Sequence, residues 1–319
     1  MLNTSPVATP EEIRFAYRLL LDREPDPAGL AHYTAMAATH RLTLAQLRDI
    51  FLISEEYRGR VRGRVVQVDI GGCVVVVDPA DPIFGATIAR HRMWEPHLRA
   101  ILMRHLAPGS VYVDIGANLG TMAFPAAVRV GPGGKVIAFE PDPTNIAQFL
   151  QGVAANGFGH VTLFPVALSD ARAVFALQGG SNAYLVAPGG SDLMAQAMMG
   201  DDLLGAEPRI DVIKLDIEGH EPFALRGLAR TLACHRPLVL CEFNPRCLHD
   251  HIGLPPAAFA AEIFALTHAV TAIEHDGREN AVASAADLLA LWAARNAQAV
   301  ATGYLPDGML HVDLLFRPG

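Results

Sequence analysis

The sequence predicts an α/β protein, in which a parallel-rich sheet is covered by helices on both faces and is preceded by a small all-α domain and a β-hairpin. Three observations lead to this prediction. Helical periodicity fills residues 11–57, short β-rich runs begin at residue 65, and apolar strand-like runs alternate with helical segments from residue 111 onward. The length of 319 residues allows about two domains, which we place at 1–60 and 61–319.

The composition is that of a folded globular chain, with 51% hydrophobic and 18% charged residues. The net charge of −8 repels polyanions, so we expect no nucleic-acid partner. The first ten residues lack the basic and apolar regions of a secretory signal, and no apolar run reaches the roughly 18 residues of a membrane span. These features predict a cytoplasmic protein with no membrane span.

Helices are predicted over the first 57 residues, with a break at residues 25–29 and further helical patterns at 30–39 and 44–52. Thr43 is a plausible N-cap for the last of them. Residues 17–30, Tyr33 and residues 54–57 resemble a small helical bacterial domain family of unknown function that is often fused to carbohydrate enzymes. The resemblance implies an accessory module with a docking partner. The arginine- and glycine-rich residues 58–64 are predicted to form a connector.

Strand and helix patterns alternate through the rest of the chain. Residues 65–68 and 73–77 form a hairpin pattern, and a helical stretch is predicted at about 90–105. The predicted strands of the main sheet are 111–115, 136–140, 161–165, 211–217, 237–243, about 270–274 and 310–316. The long glycine-rich insert at 178–205 is predicted to be a lid over the substrate.

A glycine turn after the first of these strands is the first candidate binding feature. Gly116 and Gly120 allow a sharp turn at a helix N-terminus, but the spacing differs from that of the dinucleotide fingerprint. Glu140, followed by Pro141, ends the next strand, where a carboxylate can accept both ribose hydroxyls. Asp114 would oppose a pyrophosphate and would attract an ammonium group. This charge pattern favours S-adenosylmethionine over NAD.

The strand at 211–217 carries ionisable residues on alternate positions, which is unusual for a strand buried on both faces. Lys214, Asp216 and Glu218 therefore pair with one another or line a cleft at the end of the strand. Glu242 ends the next strand, and this group of carboxylates could supply a general base, hold a divalent metal or pair with the lysine. His220 is a further candidate base. We assign no metal site, since His249 and His251 lack further ligands nearby.

Five motifs in order, at 113–120, 133–143, 166–169, 213–221 and 237–242, resemble the FkbM family of S-adenosylmethionine-dependent methyltransferases. The resemblance implies a class I methyltransferase fold: a Rossmann-like seven-stranded sheet with one antiparallel strand, at 312–316. It implies that the methionine part of the cofactor lies against Asp114, Gly116, Ala117, Asn118 and Gly120. It also implies that Glu140 and Pro141 hold the ribose, and that the adenine lies beside Leu168, Ser169 and Asp170.

The expected reaction is methyl transfer to a hydroxyl of a small molecule, sugar or glycan, because characterised members of the resembled family mostly methylate such groups. The candidate catalytic residues are Lys214, Asp216, Glu218, His220 and Glu242, and Asp216 is also assigned to the cofactor site. Two alternatives remain. The fold could bind a ligand without chemistry, or it could use NAD in an oxidoreductase reaction.

Overall fold

The structure is a computed structural model that describes residues 7–52, 54, 56–57, 65–189 and 193–319. The predicted connector at 58–64 and the proposed boundary at residue 60 lie outside the described residues. Within the described part of the chain, no helix is both long enough and apolar enough to cross a membrane.

Three helices form the N-terminal part, as predicted: α1 (Pro10–Leu21), α2 (Pro27–His40) and α3 (Leu44–Leu52). Thr9 and Glu12 cap α1 reciprocally, and Thr43 accepts a hydrogen bond from the Gln46 backbone N–H in the same way at the start of α3. The apolar faces of these helices join the same buried cluster as the neighbouring α/β part of the chain. Arg48 of α3 donates to the backbone carbonyl of Leu163, which also ties the helices to that part.

The predicted hairpin is confirmed as β1 (Val66–Asp69) paired with β2 (Val74–Val77). The prediction of one helical stretch at about 90–105 is wrong, because two helices occur, α4 (Phe84–His91) and α5 (Pro96–His105). Pro96 disfavours helical backbone at the residue before it, and Glu95 adopts a left-handed conformation with φ 40°. The break between the two helices places Glu95 at the functional cavity.

The main sheet has eight strands and not the seven expected. Its strands are β3 (Val111–Ile115), β4 (Lys135–Phe139), β5 (Val161–Phe164), β10 (Val212–Leu215), β11 (Leu238–Phe243), β12 (Val270–Ile273), β13 (Glu279–Val282) and β14 (Val312–Phe316). Their order is β13-β12-β14-β11-β10-β3-β4-β5. The five strands from β11 to β5 are parallel, β14 is antiparallel to its neighbours as expected, and β13 adds a second antiparallel strand.

Helices flank this sheet. They are α6 (Ala123–Val130), α7 (Pro143–Asn156), α8 (Gly200–Leu204), α9 (Glu221–Gly227), α10 (Ala229–His235), α11 (Pro245–Ile252), α12 (Pro256–Leu266) and α13 (Ala285–Thr302). Two large apolar clusters bury side chains of the central strands, such as Val113 in one and Tyr112 in the other. Neighbouring residues of β3 therefore face opposite layers, as the doubly covered sheet requires.

A second, four-stranded sheet lies between β5 and β10 in the chain. It consists of β6 (Ala167–Leu168), β7 (Ala173–Gln178), β8 (Tyr184–Val186) and β9 (Met194–Met198), in the order β6-β9-β7-β8. The insert at 178–205 is therefore partly ordered as strands, which the sequence analysis did not predict. Its alternating small and apolar residues give this sheet a separate buried cluster that includes Leu177, Leu185 and Ala195.

Candidate active site

A cavity opens at the carboxyl ends of the central parallel strands, which is the edge where open α/β sheets bind ligands. One part, which we call the turn side, is lined by Asp114, Gly116, Ala117, Asn118, Glu140, Pro141, Asn145 and Leu168. The other part, the acidic side, is lined by Glu95, Lys214, Asp216, Glu218, Glu242 and His311. The cavity thus brings together most of the residues that the sequence analysis singled out.

Gly116 and Gly120, in the turn after β3, lie too close to other parts of the protein for a side chain to fit. Gly116 has φ 81°, and a Cβ atom there would lie 1.9 Å from the backbone oxygen of Asp216. Gly120 has φ 89°, and a Cβ atom there would lie 2.6 Å from the Phe124 ring. Gly120 does not line the cavity. The turn therefore packs two strand ends and a helix closely together, which holds Asn118 at the cavity wall.

Glu140 is buried on the turn side and is held by backbone donors. Its carboxylate accepts hydrogen bonds from the backbone N–H groups of Asn118, at 2.8 Å, and Asp142, at 2.9 Å. The Asn145 side-chain amide is a weaker third donor at 3.5 Å. Burial raises the pKa of Glu140 to about 7, with a further contribution from Asp142 and against these hydrogen bonds. The carboxylate is thus fixed in orientation and titrates near neutrality.

Asp114 is the other buried carboxyl of the turn side. It is 1% exposed, and neither of its side-chain oxygens has a hydrogen-bond partner of good geometry among the described residues, although the nearby Tyr112 hydroxyl lowers its pKa. Burial raises the pKa of Asp114 to about 6, while the nearby Lys214 ammonium opposes that rise. A buried carboxyl with both oxygens unpaired is costly unless a ligand supplies donors. An ammonium or hydroxyl group is the type of ligand that would do so.

The buried Lys214 and the partly exposed Asp216 form an ion pair on the acidic side, with Nζ 2.8 Å from Oδ2. Burial alone would lower the pKa of Lys214, but the surrounding carboxylates, Asp216 first, outweigh burial and raise it. Burial alone would raise the pKa of Asp216, but the lysine outweighs it and the pKa lies below its usual value. Both groups are therefore charged at neutral pH, and Asp216 is a weak base.

Glu218 and Glu242 stand beside this ion pair. One oxygen atom from each of Asp216, Glu218 and Glu242 lies within 4.8 Å of the other two. Burial, followed by the charge of Asp216, raises the pKa of Glu218 to about 7. Burial also raises the pKa of Glu242 well above its usual range. These three carboxyls form a compact oxygen-rich cluster.

Two residues of the acidic side were missed by the sequence analysis. Burial raises the pKa of Glu95 to about 7, and the charge of Asp216 adds to the rise. His311 Nδ1 lies 3.4 Å from Glu242, and burial lowers the pKa of His311 to about 3, so this histidine is neutral. Both arrive from chain segments distant from the motifs. The only local signal was Pro96, which marks the helix break at Glu95.

His220, Ser169 and Asp170 do not line the cavity, although the sequence analysis assigned them to it. The His220 ring is buried between Phe175 and Phe223, and its Nε2 lies 3.0 Å from the Ser169 hydroxyl. Burial lowers the pKa of His220 to about 4. His220 thus forms a hydrogen bond with Ser169 outside the cavity lining.

The insert covers both sides of the cavity. The Ser181 carbonyl accepts hydrogen bonds from the side-chain amides of Asn118, at 3.0 Å, and Asn145, at 3.2 Å, and its hydroxyl donates to Asp81 at 2.9 Å. Asn182 donates to Glu218 at 2.6 Å. The segment from Ser181 to Leu185 therefore forms part of the wall and is anchored on the turn side and on the acidic side alike.

The residues at 249–251 are not gathered as a metal site. His249 pairs with the exposed Asp250, whereas His251 stacks on Tyr184 with ring centroids 3.7 Å apart. The Nδ1 atom of His251 lies 2.7 Å from the Glu218 backbone oxygen. His251 thus supports the insert and the turn at Glu218 from outside the cavity.

Comparisons with known proteins agree with this arrangement. The chain is 26% identical over 138 residues to the hexuronic acid methyltransferase AglP of Haloferax volcanii, which covers 41% of this chain and 55% of that protein. It is 30% identical over 128 residues to a probable cobalt-precorrin-6B C(15)-methyltransferase (decarboxylating) of Pyrobaculum aerophilum. This match covers 39% of this chain and 64% of that protein. The chain thus spans between half and two thirds of the length of these curated relatives.

Among solved structures, the chain is similar to the methyltransferase FkbM of Methylobacillus flagellatus, with 19% identity and a TM-score of 0.33 over 72% of this chain and 47% of that one. A family model described as the methyltransferase FkbM domain matches residues 114–252. That range contains the glycine turn, Glu140, the ion pair of Lys214 and Asp216, and Glu242. The match to the methyltransferase FkbM domain model thus covers less than half of the chain.

Proposed function

We propose that this protein transfers a methyl group from S-adenosylmethionine to a hydroxyl of a small molecule, sugar or glycan. The observation that carries the proposal is the cavity in which Asp114 and Glu140 face the turn side and a cluster of carboxyls faces the acidic side. The matches to the FkbM family model and to a hexuronic acid methyltransferase support both the reaction and the choice of a sugar-like acceptor.

The residues of the turn side suit S-adenosylmethionine. Asp114 has both oxygens unpaired among the described residues and would accept the α-ammonium group, while Glu140 would accept ribose hydroxyls. A pyrophosphate would instead face these carboxyls, and the one lysine that lines the cavity already pairs with Asp216. The charge of the cavity therefore favours S-adenosylmethionine over NAD.

Bound S-adenosylmethionine supplies an electrophilic methyl group on its sulfonium. The chain itself has to align the acceptor oxygen and to take up the hydroxyl proton. The pKa of Glu95 is about 7, which suits a general base at neutral pH. Asp216, held by Lys214, would orient the acceptor instead.

The insert would shield the reaction from water. Ser181 and Asn182 bridge the two sides of the cavity, so this segment has to move for the cofactor and the acceptor to enter. We extend the proposal to the N-terminal helices, which would act as an accessory module over residues 1–60, with the methyltransferase domain over 61–319.

The first experiment is titration calorimetry of the whole chain with S-adenosylmethionine and, separately, with NAD. We expect micromolar binding of S-adenosylmethionine, loss of that binding in Glu140→Ala, and no change in Glu262→Ala, which removes an exposed carboxylate paired with Arg226. Binding of NAD alone would support the oxidoreductase alternative. Binding of neither ligand to the folded protein would contradict the proposal.

A second experiment measures the transfer of labelled methyl groups to a panel of sugars and glycans. Product formation that is reduced in Glu95→Gln, with unchanged cofactor affinity, would assign Glu95 as the base. Tight cofactor binding with no methylated product from any hydroxyl acceptor would favour a ligand-binding protein without chemistry.

A further inference from the structure

The acidic side holds more carboxyl groups than basic groups. Six carboxyls line the cavity, at Glu95, Asp114, Glu140, Asp216, Glu218 and Glu242, and the basic residues that line it are Lys214 and His311. Lys214 is engaged by Asp216. Carboxylates crowded in this way repel one another unless a cation or protons separate them.

Glu242 provides an independent sign that a ligand is missing from this cluster. It is 4% exposed, yet its Oε2 atom has no hydrogen-bond partner among the described residues, and the residue lines the cavity. Its other oxygen faces His311, a neutral ring. A buried carboxylate oxygen of this kind normally has a partner.

The spacing of the three carboxyls suits a single ion. Three oxygen atoms can contact one cation at about 2.6 Å when they lie up to about 4.5 Å apart, so these three, which lie within 4.8 Å of one another, need at most a small movement to bind one ion. Oxygen-only ligands select hard cations such as Mg²⁺, Mn²⁺ and Ca²⁺ over softer metals. Asn182 and Lys214 hold Glu218 and Asp216 by hydrogen bonds, so two of the three ligands are already oriented.

We propose that Asp216, Glu218 and Glu242 bind one hard divalent cation at the acidic side, and that this cation holds an oxygen atom of the methyl acceptor. The second part rests on the proposed function, whereas cation binding does not. The cation would offset the repulsion between the acidic side and an acceptor that carries hydroxyl or carboxylate oxygens. The cavity would then accept oxygen-rich, sugar-like acceptors in spite of its carboxyls.

The test uses the full chain, freed of metal with a chelator and titrated with MnCl₂ alone, and follows the loss of the free Mn²⁺ electron paramagnetic resonance signal. We expect one site with a Kd of about 1 mM or tighter, and competition by Mg²⁺ or Ca²⁺. Glu242→Gln and Glu218→Gln should each weaken binding by about tenfold or more. Asp250→Asn, which removes an exposed carboxylate paired with Arg246, should leave binding unchanged.

Two outcomes would overturn the inference: no binding of millimolar Mn²⁺ to the folded chain, or binding that neither glutamine variant changes. Because Glu242 is buried, the thermal unfolding of each variant is first compared with that of the parent protein. If Glu242→Gln does not fold, the conclusion is drawn from Glu218→Gln. Calorimetry with S-adenosylmethionine in the absence of metal separates the two proposals. Cofactor binding without Mn²⁺ binding removes the cation site alone, and Mn²⁺ binding without cofactor binding removes the methyltransferase proposal alone.

Discussion

The turn side and the acidic side of the cavity use carboxyls in different ways. On the turn side, Glu140 accepts hydrogen bonds from the backbone N–H groups of Asn118 and Asp142, so main-chain donors fix its orientation. On the acidic side, Glu95, Asp216 and Glu242 come from different segments of the chain, and the charges of Asp216 and Glu95 act on Lys214. The turn side is therefore held in place by hydrogen bonds within the protein. The stability of the acidic side depends instead on how the charges of its carboxyls are compensated. Four predictions test this difference.

The largest effect is expected at the contact where the two sides meet. In Gly116→Ala, the new Cβ atom would lie 1.9 Å from the backbone oxygen of Asp216 in a residue with φ 81°. We expect a loss in the free energy of unfolding of about 4 kcal/mol, from overpacking and left-handed strain together. Denaturant unfolding measures this loss.

Gly157→Ala is the matched control. Gly157 has φ 65° and open space around its Cα atom, so the substitution adds left-handed strain without a clash. Its cost should be about 1 kcal/mol. Equal costs for the two variants would mean that the backbone contact at Gly116 does not join the two sides.

The second prediction removes the cation of the acidic side. Lys214→Met leaves buried carboxylates without their partner, and we expect a loss in the free energy of unfolding of about 3 kcal/mol. Lys135→Met is the control, because Lys135 is 39% exposed and pairs with Glu207. That variant should lose under about 1 kcal/mol. Similar losses in the free energy of unfolding for the two variants would show that Lys214 does not stabilise the carboxyls of the acidic side.

The strands of the main sheet differ in how well the sequence predicts them. Most of the central strands are apolar runs, and the structure confirms them, including the strand predicted at 211–217, which is found at Val212–Leu215 although it contains Lys214. The strand β13 was missed because Glu279-Asn280-Ala281-Val282 is a mostly exposed edge strand without an apolar run. Edge pairing of this kind depends on the neighbouring strand more than on its own composition.

In the candidate site, the sequence predicted the positions of those residues that lie at the carboxyl ends of the central strands. Asp114 lies near the end of β3 and Glu140 follows β4, and their placement at one edge of the sheet needed only the parallel order of the strands. Glu95 and His311 reach the cavity through tertiary packing, which no local pattern reports. His220 was misplaced because a turn residue can face either way, and its ring packs on Phe175 and Phe223.

The third prediction concerns the pH dependence of the turn side. The pKa of Glu140 is about 7, so its carboxylate is present above that pH and is lost below it. Ribose hydroxyls donate more strongly to a carboxylate than to a carboxylic acid. We expect the affinity for S-adenosylmethionine to fall about tenfold between about pH 8 and about pH 6, as calorimetry at several pH values would measure. In Glu140→Gln the affinity should be weak at every pH, and an unchanged pH profile in that variant would contradict the role of Glu140.

The smallest effects are expected in the insert, which touches both sides through single hydrogen bonds. Asn182→Ala removes the donor to Glu218, and Ser181→Ala removes the hydroxyl that bonds Asp81 while its carbonyl still accepts from Asn118. One neutral or charge-assisted hydrogen bond contributes about 1 kcal/mol, so each change should be about threefold to tenfold. If the two sides act separately, Asn182→Ala raises the KM for the acceptor and leaves the cofactor Kd unchanged, while Ser181→Ala weakens cofactor binding. Changes of the same size in both constants for both variants would show instead that the insert closes as one unit and couples the two sides.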